Sequence, residues 1–148
     1  MPRINRRHEV PYRAQDMYDL VCDVENYPEF VPLCRSLNVK DKRTKGSKSL
    51  IVADMTMAYG ALSETFTTQV LMNEQDLEID TRYIDGPFSH LDNQWKFKPL
   101  EDTTCCIEFM VDYQLKNRLL SVAAGAIFET AFGRFVEAFE KRAQQLYG

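Results

Sequence analysis

The chain has 148 residues, 45% hydrophobic and 27% charged, and a formal net charge of −4. That length suits one domain, residues 1–148, with a buried core. The acidic balance argues against general affinity for nucleic acid, DNA included, and no apolar run approaches the ~20 residues that span a bilayer.

The first residues, Met1 to Arg7, are basic with no apolar segment behind them, which is not the pattern of a signal peptide. Arg3 to Val10 reads as a first strand, with Ile4 and Val10 on one face and His8 between them, and Pro11 ends it. From Arg13 to Val24, Met17, Leu20, Val21 and Val24 follow helical spacing. A second short helix is expected over Asn26 to Pro32, capped by Asn26, with Pro28 in its first turn and Pro32 as its stop. Leu37 and Val39 then alternate as a strand, and the turn from Lys42 to Lys48 reverses the chain at Gly46. Ser49 to Tyr59 places Ile51, Ala53, Met55, Met57 and Tyr59 on one face before Gly60 breaks it. Further strands are expected over Ser63–Met72, Leu77–Ile84, Leu91–Pro99 and Thr103–Tyr113, joined by short turns. The last has the clearest alternation: Cys105, Ile107, Phe109, Val111 and Tyr113 against Cys106, Glu108, Met110 and Asp112. One long helix, about Arg118 to Leu146, closes the chain with Phe128, Phe132, Phe135 and Phe139 in an apolar stripe. Small residues at Ala123 to Ala126 are expected to leave room between that helix and the sheet.

This order predicts an α+β fold. A curved antiparallel sheet of about seven strands wraps around a long C-terminal helix, with two short helices after the first strand. Two blocks narrow the class. The first is Asp23-Val24-Glu25-Asn26-Tyr27-Pro28-Glu29-Phe30-Val31-Pro32-Leu33-Cys34, unusually apolar for a connection. The second runs from Gly86-Pro87-Phe88 through Leu91 to Trp95 and Phe97. Both resemble signature segments of the coenzyme-Q-binding proteins and their bacterial relatives, which have the helix-grip, START-like fold. That family often has Gly where this chain has Asp92 or Asn93, a departure assigned to a local turn. The resemblance implies a non-catalytic binder of ubiquinone that supports respiratory electron transfer. Bacterial members are also described as ribosome-association toxins that block subunit joining, and older names for the superfamily include polyketide cyclase/dehydrase.

The residues themselves offer little catalytic chemistry. Neither His8 nor His90 has a partner visible in sequence, and no nucleophile elbow, dinucleotide fingerprint or phosphate loop occurs. The four cysteines, Cys22, Cys34, Cys105 and Cys106, lack metal-ligand spacing and read as reduced thiols of a cytoplasmic protein. No metal and no catalytic cofactor are expected; ubiquinone enters as a bound ligand. The expected ligand contacts are Tyr27, Phe30, Val31, Met55, Met57, Phe66, Trp95, Phe97, Phe109, Val111, Phe128 and Phe132, with Tyr27, Phe30 and Val31 as a lid. A five-carbon prenyl unit gains roughly 3–4 kcal/mol on leaving water, so its carrier must offer an apolar interior. An empty cavity of several hundred Å³ would destabilise its host too much, so any such space is expected to be partly collapsed or occupied. Lys40, Lys42, Arg43, Lys45 and Lys48 crowd one hairpin and are candidates for contact with anionic lipid at the inner membrane face or with ribosomal RNA. Two alternatives to quinone binding remain: association with the large ribosomal subunit, and a small-molecule cyclase.

Overall fold

The computed structural model describes residues 3–59 and 61–148, without the side chain of Tyr59. Expectations for Met1, Pro2, the Tyr59 side chain and Gly60 lie outside the described residues. The strands are β1 (Arg3–Val10), β2 (Cys34–Lys45), β3 (Lys48–Tyr59), β4 (Leu62–Asn73), β5 (Glu78–Asp85), β6 (Phe88–Glu101) and β7 (Thr104–Leu115). They form one antiparallel sheet in the order β1-β7-β6-β5-β4-β3-β2. Neighbours in sequence pair by hairpins, and β1 crosses to the far edge to pair with β7. Register shifts with the extra residue in β2, β5 and β6 bend the sheet. A bulge inserts an unpaired residue, increases local twist and lets a long sheet curl.

The expected alternation in β7 is real: Cys105, Ile107, Phe109, Val111 and Tyr113 are all buried. Cys106, on the other face, is buried too. The β5–β6 turn depends on Gly86. Its φ is +144°, and a Cβ there would lie 2.6 Å from the Phe66 Cβ, so the backbone crosses over Phe66 where no side chain fits.

Four local expectations are corrected. The β2–β3 reversal is a two-residue turn at Gly46 and Ser47, because Lys45 already pairs with Lys48; Lys42 to Lys45 therefore lie in a strand. Leu77 belongs to the β4–β5 turn, at φ 54°, with its carbonyl accepting the Phe97 N–H at 3.0 Å. Asp92 and Asn93 lie in the middle of β6, paired with Arg82 and Thr81, and form no turn. After α1 (Ala14–Cys22), the second short helix is a 3₁₀ segment, Val24–Glu29, two residues earlier than expected. Asn26 lies inside it and donates to Asp23 rather than capping.

The largest correction concerns the last helix. It divides into α2 (Arg118–Gly133) and α3 (Phe135–Tyr147), bent by 42° at Arg134. Gly133 is a weak helix former at the break. The bend lets both halves of the aromatic stripe reach a concave sheet. Phe128 meets Phe88 at 5.1 Å between ring centroids, while Phe139 meets Trp95 at 5.2 Å. A straight rod would leave one end of the stripe off the curved surface.

Candidate ligand-binding site

Two aromatic clusters fill the space between sheet and helices. One centres on Phe88, which packs against Phe66, Tyr83, Tyr113 and Phe128. The other centres on Phe139, which meets Tyr27, Phe30 and Trp95. Phe132 and Phe135 bridge them, 5.3 Å apart. Between the clusters lies an apolar cavity of about 70 Å³. Its walls come from β2 to β7, the 3₁₀ segment and the facing sides of α2 and α3.

Of the residues expected to touch a ligand, Tyr27, Met55, Phe66, Trp95, Phe109, Val111 and Phe132 line this cavity. Phe30, Val31, Met57, Phe97 and Phe128 do not. Phe30 packs behind Tyr27 on Phe139, and the Arg142 guanidinium lies over its ring at 5.1 Å. Phe97 stacks on Trp95, Phe128 on Phe132, and Val31 and Met57 are buried outside the lining. The small-residue patch makes no room at the sheet. Ala124 is buried, but Ala123 and Ala126 face outward because they lie on the far side of α2.

The Tyr27 to Cys34 segment is held firmly. The Tyr27 hydroxyl donates to the Val21 carbonyl, and burial pushes that hydroxyl well above the ordinary tyrosine range. Arg142 of α3 approaches Glu29 at 3.6 Å. Leu33, at φ 63°, accepts the Ala58 N–H at 2.9 Å and so ties the corner to β3. The segment meets the cavity through Tyr27, with Val24 just before it, as a wedge clamped by α3.

The sequence reading missed a polar strip. Thr68 on β4, Thr81 on β5 and Asn93 on β6 all line the cavity. Thr81 and Asn93 pair directly, and Thr68 is two residues from Val70, the β4 partner of Thr81. Thr68 is 7% exposed. Asn93 donates its side-chain N–H to the Met110 carbonyl at 2.9 Å, which leaves its amide oxygen as the free acceptor. The signal was present in the inward positions. Asn93 falls between Leu91 and Trp95, Thr81 between Ile79 and Tyr83, and Thr68 between Phe66 and Val70. Each breaks an apolar alternation where a sealed core would use Val or Leu.

Among the described residues the lining carries no carboxylate, imidazole, ammonium or thiol group. The two histidines lie elsewhere. His8 Nε2 is 2.7 Å from Glu140 on α3, and His90 Nε2 is 3.3 Å from Asp112. The four cysteines are unpaired with one another. Burial pushes the Cys22 thiol up to about 12 and the Cys34 and Cys105 thiols up to about 11.

The charged hairpin is less basic than its sequence suggests. Lys40 lies 3.7 Å from Asp54 and Arg43 3.3 Å from Asp41. The Val39–Asp41 bulge also changes which face each later residue takes, so the charges do not share one surface.

The polyketide cyclase / dehydrase and lipid transport family matches residues 10–140. The chain belongs to that family. It is 38% identical to ribosome association toxin RatA of Escherichia coli strain K12, over 99% of this chain and 90% of that one. It is 32% identical to the mitochondrial coenzyme Q-binding protein COQ10 of Drosophila melanogaster, over 97% of this chain and 59% of that protein. An 18 kDa protein from Caulobacter crescentus, solved in solution, superposes with a TM-score of 0.80 at 33% identity, covering 100% of this chain and 99% of that one. A START superfamily protein from Mycobacterium smegmatis gives 0.75 at 18% identity, over 97% and 98%. The helix-grip, START-like architecture read from the sequence is therefore the fold of this family member.

Proposed function

We propose that the protein binds an isoprenoid quinone of the ubiquinone type between its concave sheet and α2/α3. It acts as a cytoplasmic carrier or chaperone at the inner membrane face and makes or breaks no bond. The observation behind this reading is the pairing of an apolar cavity with one polar strip, Thr68, Thr81 and Asn93. A prenyl chain needs only apolar walls. A quinone ring adds carbonyl acceptors, which threonine hydroxyls can meet. The resemblance of the two signature blocks to coenzyme-Q-binding proteins supports the same reading. So does a lining that, among the described residues, has no carboxylate, imidazole, ammonium or thiol and whose one phenol, Tyr27, donates to the Val21 carbonyl, which favours a binder over a cyclase.

The cavity must open to work. Its 70 Å³ is below the roughly 150 Å³ that admits a benzene ring. As an empty space it costs only about 2 kcal/mol. Ligand entry therefore has to displace the facing aromatics of α2 and α3, Phe132 and Phe135 first. Solvent extraction of the purified protein followed by mass spectrometry, with titration of a short-chain ubiquinone, tests the proposal. Wild type is expected to bind. Thr68→Val with Thr81→Val is expected to weaken binding about tenfold or more through two lost hydrogen bonds. No bound and no bindable quinone would remove the reading.

A second reading, association with the large ribosomal subunit, is favoured by one observation. The toxin of E. coli matches across nearly the whole of both chains. Sucrose-gradient sedimentation after overexpression separates the two. Loss of joined ribosomes and co-migration with the large subunit would support it.

A further inference from the structure

α2 has two apolar faces, and the fold uses one. Ala124, Phe128, Ala131 and Phe132 are buried toward the sheet. On the other side Leu119, Val122, Ala123 and Ala126 follow i, i+3, i+4, i+7 spacing and all face solvent. Leu119 is 78% exposed and Val122 80%. No charged residue occurs from Leu119 through Phe128. The outer stripe continues into a shallow groove against the signature corner, lined by Pro32, Leu33, Ala126, Ile127 and Ala131 together with Thr130 and Arg134.

The charge around this stripe is the reverse of the protein's overall balance. Lys116 and Arg118 stand at the start of α2 and Arg134 at its end, all exposed. Arg3 and Arg6 of β1 line the same surface beside Ala126, Gly133 and Arg134, with Glu129 as the carboxylate among them. Among the described residues none of these five cations is in an ion pair. An apolar stripe bordered by unpaired cations is the pattern of a helix lying in an anionic membrane interface. No single helix is long and apolar enough to cross a membrane, and in the bent α2/α3 pair, which is so by length and composition, α3 is packed into the core through Val136, Phe139 and Ala143, so the pattern is one of lying on the surface.

We propose that the outer face of α2 docks on an anionic lipid bilayer, with Leu119 and Val122 entering the interface and the surrounding Lys and Arg residues meeting lipid phosphates. The Lys40–Lys48 hairpin, the candidate from sequence, lies at the other end of β3. The α2 end adjoins Met57, Ala58 and Leu62, whereas Lys48 starts β3 at its opposite end. Ten strand residues separate Lys48 from Ala58, about 33 Å at 3.3 Å each. The α2 face and the hairpin are thus separate candidates, and substitutions at each tell them apart.

Flotation of the purified chain with quinone-free vesicles tests this apart from the quinone reading. Wild type is expected to float with vesicles of phosphatidylcholine and phosphatidylglycerol and far less with phosphatidylcholine alone. Leu119→Ser with Val122→Ser is expected to cut the bound fraction at least about tenfold while leaving the thermal unfolding midpoint unchanged. Lys42→Glu with Lys45→Glu is expected to float like wild type. The proposal is overturned if wild type does not float, if the α2 variant floats unchanged, or if the hairpin variant is the one that fails. A concentration-dependent dimer that the α2 variant abolishes, with flotation intact, would assign the stripe to a second copy of the chain and overturn it as well.

Discussion

α2 and α3 come from one apolar stripe in the sequence, yet they meet different fates. α3 buries Val136, Phe139 and Ala143 and turns Glu137 and Lys141 outward, while its Arg142 and Glu140 reach back to the signature segment and to β1. It is an amphipathic helix with its apolar side buried, apart from Leu146 and Tyr147 in its last turn. α2 buries a comparable set and still presents Leu119 and Val122 to solvent. The difference shows that a helix can satisfy the core and retain a second apolar face, and that only the second face is available for a partner.

The comparison is broken most severely at Phe139, the centre of the tighter cluster. Phe139→Ala is expected to cost about 3–5 kcal/mol, because the ring meets Tyr27, Phe30 and Trp95 and the cavity next to it cannot collapse fully. Denaturant unfolding measures this, and a loss under 1 kcal/mol would mean that α3 is not the anchoring half. A matched pair of valines comes next. Val136→Ser on α3 is expected to cost about 1.5–3 kcal/mol, and Val122→Ser on α2 less than about 0.5 kcal/mol, since the first is 2% exposed and the second 80%. Equal losses would show that the outer face of α2 is covered after all.

Base attacks the clamped half. Cys22 and Cys34 flank the 3₁₀ segment that α3 holds, and burial raises both thiols. The folded chain keeps protons that the unfolded chain releases, so this contribution is intact below the ordinary thiol value of 9.0 and is lost as pH climbs toward about 12. Melting scans across that window should show the midpoint falling, and Cys22→Ser should reduce the fall. The smallest expected effect is at the joint. Gly133→Ala should stabilise by about 0.5 kcal/mol through helix propensity, as its Cβ would meet nothing closer than Arg6 Nη2 at 3.6 Å. A loss instead would show that the bend needs glycine.

Much of the fold was legible in the residues. Alternation in β3, β4 and β7 defined the inward faces, because a strand with one buried side must repeat every two residues. The two signature blocks carried the family. The site was legible in part. Seven aromatic and aliphatic positions were placed on the cavity, six because they lie at inward strand positions or on the buried stripe of α2 and Tyr27 because it sits in the apolar signature block. Phe97 and Phe128 share that periodicity but pack behind the lining, as does Phe30 after the 3₁₀ segment, and periodicity does not encode depth. Thr68, Thr81 and Asn93 escaped notice because each looks unremarkable in its own strand. They form a strip only when the β4–β5–β6 register brings them together.

By itself, then, the order of residues determined the strands, the inward faces, the helical stripe and the family, because local periodicity and local motifs suffice for these. Tertiary structure alone decided three things. It bent the last helix at Arg134, because a straight helix cannot follow a concave sheet. It shrank the cavity to 70 Å³, because facing aromatics fill most of the available space. It also set the Lys48 turn and the apolar face of α2 at opposite ends of β3, because antiparallel pairing sends the chain that far before it returns.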